Sequence, residues 1–276
     1  MRPTELGDAL AALTAKPYSV LAGGTDFYPA WVGRVIEEDV LDITALDTLR
    51  GIREEDGRFR IGALVTWSDL LAAPLPPFFD GLKLAAREVG GVQIQNMGTI
   101  CGNICNASPA ADAVPNLLTL DALIELRSLE GVRQLPVSDF VQGNRATARR
   151  PDELVTAILV PEHGTRARST FLKLGARRYL VISIAMVAAL IETDSAGTIT
   201  LARLSIGACS ARAARLGKLE QDLTGRPLSA DLVQVVSDRH LADLSPIDDI
   251  RGTAVYRRDA AASLLRRALG RLAEAA

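Results

Sequence analysis

Short apolar runs separated by polar, glycine-punctuated connections pattern this chain. Leu6, Ala9, Leu10 and Leu13 recur at helical spacing and predict a first helix, with Thr4 as its cap. Tyr18 to Ala22 and Val40 to Ile43 read as short buried strands, and Leu46 to Ile52 as a turn or short helix, so residues 1 to about 52 form a small α/β lobe. Phe59 to Thr66 is apolar and partly alternating. Core residue Trp67 and cap residue Ser68 then lead into a helix at Leu70 to Ala73, and Phe79 to Val89 resumes as a second helix. Val114 to Leu120 is a helical segment, Ala122 to Ser128 a strand, and Asp152 to Val160 leads into a strand that Pro161 ends.

The polar stretch Glu162 to Arg168 marks a domain boundary. Beyond it, Ser169 to Gly175, Met186 to Glu192 and Thr198 to Gly207 read as strands, the last two joined by a hairpin turn at Asp194 to Gly197. Ala211 to Leu223 and Ala230 to Val236 read as helical. Arg258 to Ala275 is an amphipathic helix with Ala261, Leu264, Leu265, Ala268, Leu269 and Leu272 on one stripe and arginines opposite. The pattern divides the chain into residues 1–162, with lobes 1–52 and 53–162, and a smaller domain 163–276 of antiparallel strands and helices.

Two stretches stand apart from this alternation: Leu21 to Phe27, LAGGTDF, and Met97 to Asp112, MGTICGNICNASPAAD. In the first, a strand runs into Gly23-Gly24 and then into a helix start, an arrangement whose backbone N–H groups and helix dipole favour an anion. A turn with no ligand is the competing reading of one glycine pair. The second stretch carries Asn103, Asn106 and Ser108 among the apolar Ile100, Cys101, Ile104 and Cys105 with few charges. Buried polar groups of that kind need a partner, and a bound nucleotide can be one. The two stretches read as halves of one phosphate-binding wall.

The chain has 276 residues, 48% of them hydrophobic, and a net charge of −2, which fits two compact units and does not favour nucleic acid or an anionic membrane as partner. Arginines gather at Arg145 to Arg150, Arg166 to Arg178 and Arg257 to Arg271, as solvated faces or subunit contacts. Cys101, Cys105 and Cys209 are too few for a disulfide framework or a four-thiolate cluster and fit a reducing, cytoplasmic setting; Cys101 and Cys105 read as small buried thiols, with a reactive thiol as the alternative. His163 and His240 both fall in polar surroundings, which offers little for a triad or a metal site, and no catalytic or metal-ligating set stands out. Neither Gly-x-Gly-x-x-Gly nor a P-loop is present, and no apolar stretch is long enough to span a membrane.

AGGTDF and TICGNICNASPAAD, about 75 residues apart, closely resemble the AGGTDL and TIGGNIANASPAAD motifs of the FAD-binding subunits of the molybdenum hydroxylases, the group of carbon monoxide dehydrogenase and xanthine dehydrogenase. The resemblance continues through FLKLGARRYLVISIAMVAA and the closing YRRDAAASLLRRAL; Cys101 stands where the family usually has glycine. It implies an α+β, two-lobed PCMH-type FAD-binding domain followed by the smaller C-terminal domain. It also implies FAD held by Leu21, Ala22, Gly23, Gly24, Thr25, Asp26, Gly90, Thr99, Gly102, Asn103, Asn106 and Asp112. By the same resemblance Leu154 and Val155 pack at the flavin ring, Lys173 supplies a positive charge near it, and the Arg177 to Tyr179 loop approaches it. The implied partners are a molybdopterin-binding large subunit and a small subunit with two [2Fe-2S] clusters, in a heterotrimer or its dimer that delivers electrons to NAD, oxygen or a quinone. A flavoprotein acting alone and an assembly subunit without flavin are the alternatives.

Overall fold

The computed structural model describes residues 1–275 and has an α+β fold. It forms two compact units: Met1–Ala73, Gly91–Ala107 and Ala122–Pro161 make the first, and Pro74–Gly90, Ser108–Asp121 and Glu162 onward make the second.

In the first unit, Ser19–Leu21 and Val40–Asp42 pair in parallel, and a five-stranded antiparallel sheet runs in the order Ile52–Glu55, Arg58–Gly62, Leu154–Pro161, Leu123–Ser128 and Gly131–Pro136. The central strand Leu154–Pro161 is buried at every position through Val160, because a strand covered on both faces reads as a continuous apolar run. Its one polar side chain, Thr156, donates to Glu125 Oε1 at 2.5 Å, and Arg60 donates to the same oxygen at 2.8 Å, so the buried carboxylate is compensated. The helix Leu6–Ala15 forms as its apolar spacing predicts. Its N-cap is Glu5 with no side-chain cap bond, so Thr4 does not cap it. Likewise the helix Trp67–Ala72 is capped by Thr66, which accepts from Asp69 N while Asp69 accepts from Thr66 N, a reciprocal box that displaces Ser68 from the role.

In the second unit, Arg168–Leu174, Ala185–Thr193, Ile199–Gly207 and Ala214–Arg215 form an antiparallel sheet in sequence order. The helix Ala254–Glu274 buries Ala261, Leu264, Leu265, Ala268, Leu269 and Leu272 against Val187, Ala189, Ile191 and Leu204. On the opposite face Phe171, Met186 and Ala188 pack with Ala85 of the helix Asp80–Glu88. The closing helix starts earlier than its stripe implies, because Thr253 accepts from Tyr256 N and fixes the first turn. Arg257 on that turn is no solvated arginine: it is buried and donates to Ile184 O at 2.6 Å, Ala208 O at 3.1 Å and Asp249 Oδ1 at 2.7 Å. Ala214–Arg215 is a strand and the helix after it begins only at Gly217. His240 is buried as well, with Nε2 2.8 Å from Asp222 Oδ2, which makes it a satisfied structural side chain rather than one in open polar surroundings.

Candidate functional site

The strand Ser19–Leu21 ends in Ala22-Gly23-Gly24, and the chain turns there because Gly24 has φ +70°, where a side chain would be strained and a Cβ would stand 2.7 Å from the Tyr28 ring. Tyr28 N donates to Gly24 O and opens the single helical turn Phe27–Ala30. Among the described residues, no acceptor lies on the backbone N–H groups of Gly23, Gly24, Thr25 and Asp26. Four consecutive donors left open at a half-exposed turn make a concavity suited to an anion.

Gly23 is required by a different contact. A Cβ there would fall 1.9 Å from Met97 O and 2.9 Å from Gly98 Cα, so the two glycine stretches meet backbone to backbone. Gly98 in turn leaves room for Thr25 Oγ1, 3.2 Å from where its Cβ would be. The second stretch is anchored to the backbone before it: Trp67 N donates to Gly98 O and Ile100 N to Val65 O, both at 3.2 Å. Its centre is the helix Ile100–Asn106, preceded by a further short helix, Val92–Met97, neither of which the charge-poor, asparagine-bearing pattern announces. Thr99 caps the former by accepting from Gly102 N at 3.0 Å, and Ala107 ends it in the left-handed region with φ +48°.

Beside this wall lies a cavity of about 400 Å³. Ala22, Phe27, Gly102, Cys105, Leu154 and Val155 line it, and Arg145 and Arg149 add positive charge. Arg145 Nη1 lies 3.4 Å from Asp26 Oδ2, while Arg149 is tied to Glu153 O at 2.7 Å. Cys101 is a buried lining residue on the same helix; burial pushes its thiol well above the usual range, so it behaves as packing rather than as a nucleophile. Cys105 is exposed, unlike the buried thiol expected of it.

Of the residues singled out in the sequence, Ala22, Gly102, Leu154 and Val155 meet at this cavity. Leu21, Gly23, Gly24, Thr25, Asp26, Thr99, Asn103 and Asn106 belong to the same unit. Leu21 is buried, and its carbonyl accepts from Ile43 N at 3.0 Å. Gly90, Asp112 and Lys173 belong to the other unit. There Lys173 Nζ donates to Asp112 Oδ2 at 2.7 Å and to Val181 O at 3.2 Å, and Ser183 Oγ donates to Asp112 Oδ1 at 2.7 Å. Each charged side chain of the pair is 7% exposed. Burial raises the Asp112 carboxyl above its ordinary value, against the opposing pull of Lys173 and Ser183. Sequence reasoning missed Phe27, Arg145 and Arg149 as lining residues, since nothing in the local pattern ties arginines on a later loop to the first glycine turn.

Residues 1–163 match the family model described as the FAD binding domain in molybdopterin dehydrogenase, and residues 170–272 match the CO dehydrogenase flavoprotein C-terminal domain. The nicotinate dehydrogenase FAD-subunit of Eubacterium barkeri is 34% identical over 79% of this chain and 75% of its own. The carbon monoxide dehydrogenase medium chain of Afipia carboxidovorans is 34% identical over 98% of this chain and 94% of its own. A solved structure of carbon monoxide dehydrogenase from Hydrogenophaga pseudoflava superposes with a TM-score of 0.90 at 28% identity, covering 99% of this chain and 96% of that one.

FAD fits the residues present. Four open N–H donors at Gly23 to Asp26 suit a diphosphate, apolar walls at Phe27, Leu154 and Val155 suit a ring system, and Cys101, the one departure from the motif, lies buried within a helix. Among the described residues no three His, Cys, Asp or Glu side chains gather to hold a metal ion, and no helix is long and apolar enough to cross a membrane. With glycine wall, cavity and both family models in agreement, the chain belongs to the FAD-binding medium subunits of the molybdenum hydroxylase family.

Proposed function

We propose that this chain passes electrons, received from the [2Fe-2S] clusters of a small partner subunit, through FAD to a terminal acceptor, within a cytoplasmic complex whose molybdopterin-binding large subunit oxidises the substrate. The observation that carries it is the row of open N–H donors at Gly23 to Asp26 pressed against the second glycine stretch. Bound FAD supplies the capacity to take up and release electrons. The chain's own residues position it. Backbone donors at Gly23 to Asp26 and the capped helix start at Thr99 and Gly102 hold the pyrophosphate, with Asn103 and Asn106 toward phosphate or hydroxyl groups. Leu154 and Val155 exclude water from the ring.

A functional boundary near residues 162 and 163 is supported by the family-model matches, which end at 163 and resume at 170. Relatives named as an FAD-subunit and as medium chains support assembly with two unlike partners, as a heterotrimer or its dimer.

The test is titration with FAD, followed by the flavin spectrum and the melting temperature together. Saturable binding at 100 times the dissociation constant adds about 2.7 kcal/mol of stability. Gly24→Val abolishes both responses. A folded chain that responds neither alone nor in the co-expressed complex overturns the flavin role and leaves an assembly subunit. FAD binding without co-purifying partners in the native host points to a flavoprotein acting alone.

A further inference from the structure

A small hairpin of the first unit pairs Val141–Gly143 with Ala146–Thr147, and Asn144 and Arg145 form its two-residue tip. Arg145 has φ +55°, a left-handed conformation that glycine or asparagine adopts at less cost. It is held there from outside the hairpin: Arg145 N donates at 3.2 Å to the carbonyl of Ala107, the left-handed residue that ends the helix Ile100–Asn106. Backbone strain of this kind persists only where the surrounding structure fixes it, and it gathers at ligand sites.

The surrounding charges show what the side chain does. Asp26 puts a carboxylate on the same turn as the open N–H donors of Gly23 to Asp26, and that carboxylate repels the anion those donors attract. Arg145 Nη1 lies 3.4 Å from Asp26 Oδ2, and among the described residues its guanidinium has no other ion-pair partner. The separation exceeds the about 2.7–2.9 Å of a tight charge-assisted bond. The two side chains are 65% and 55% exposed, so the pair is loose and open to exchange. Arg149 lines the same cavity but is committed, its Nη1 donating to Glu153 O at 2.7 Å and to Arg150 O at 3.1 Å. Arg145 is thus the lining cation free to meet a ligand, and it joins the first glycine turn to the end of the second stretch.

We propose that Arg145 is a diphosphate-binding residue of this site: it cancels the Asp26 charge beside the glycine turn and donates to the diphosphate of the dinucleotide. This role rests on the flavin reading and adds to it a residue outside both glycine stretches. Flavin-free full-length chain is titrated with FAD by flavin fluorescence at several salt concentrations. R145Q weakens FAD at least tenfold and flattens the fall of affinity with salt, while R145K keeps most of the affinity. Asp26→Asn in the R145Q background regains part of the loss, because it removes the uncancelled carboxylate; an arginine that only supports the fold gives no such recovery. R145G loses FAD as R145Q does, yet the flavin-free chain keeps its melting temperature because glycine suits the left-handed tip, which separates the loss from misfolding. Unchanged FAD affinity in R145Q and R145G, beside a parent that binds FAD, overturns the proposal and leaves the flavin reading standing. A loss in R145Q that neither R145K nor Asp26→Asn relieves overturns it as well. A folded parent that binds no FAD, alone or in the co-expressed complex, overturns the flavin reading and this role with it.

Discussion

The glycine wall of the first unit and the Asp112–Lys173 pair of the second achieve order by opposite means. The wall is backbone: Gly23 and Gly98 let two stretches of main chain touch, and its open donors are N–H groups that no substitution but proline removes directly. The pair is side chain: two buried charges whose desolvation is offset, among the described residues, by each other, Ser183 Oγ and Val181 O. A backbone site is damaged by adding atoms, and a charge-pair site by removing them.

Lys173→Met gives the largest expected loss of stability, about 3–5 kcal/mol, because it strands a buried carboxylate. The Asp112 carboxyl, already raised by burial, rises further in this variant. An acid whose folded value lies above its unfolded one destabilises the fold at high pH, so the loss shrinks as pH falls through the acid range. Melting curves of variant and parent from pH 8 to pH 4 check this; a pH-independent difference refutes it. Gly23→Val comes next, at about 1–3 kcal/mol or more from overpacking against Met97 O, with FAD content lost at the same time. If FAD content survives, the two stretches do not need to touch.

Thr99→Ala removes the acceptor for Gly102 N and is expected to lower stability by about 1 kcal/mol while leaving FAD bound, since the open donors of Gly23 to Asp26 are untouched. The smallest expected effect lies away from both sites. Asp249 accepts from Arg251 N and the Arg257 guanidinium, which hold its carboxyl down at about 2. A depressed carboxylate stabilises above its unfolded value and loses that contribution as pH falls from about 4 toward 2. Asp249→Asn therefore lowers the melting point at neutral pH and converges with the parent near pH 2. Parallel curves for the two proteins contradict that.

Much of the fold was legible because its signals are local. The stripe of Ala261, Leu264, Leu265, Ala268 and Leu269 gives a helix by period alone, and the turn at Asp194 to Gly197 is written in its own residues. The helices Val92–Met97 and Ile100–Asn106 were not legible: one is exposed and mixes apolar with amide side chains without a stripe, and the other carries asparagines and glycine, poor helix formers, and is held by the Thr99 cap and by the bond from Ile100 N to Val65 O. Caps failed for a related reason. Thr4, Thr66 and Ser68 are equally good cap residues by type, and only backbone dihedrals select among them.

By itself the sequence determined the two glycine stretches, their order, and the strand and helix periods around them, because turn chemistry and apolar periodicity act over a few residues. Tertiary structure decided the rest. It pressed Gly23 against Met97 across the chain, brought Phe27, Leu154 and Arg145 to one cavity, placed Asp112 with Lys173 in the second unit, and buried Arg257 and His240 against hydrogen-bond partners. Such contacts join residues far apart in the chain, and their energies come from close packing and desolvation, which exist only once the fold has closed.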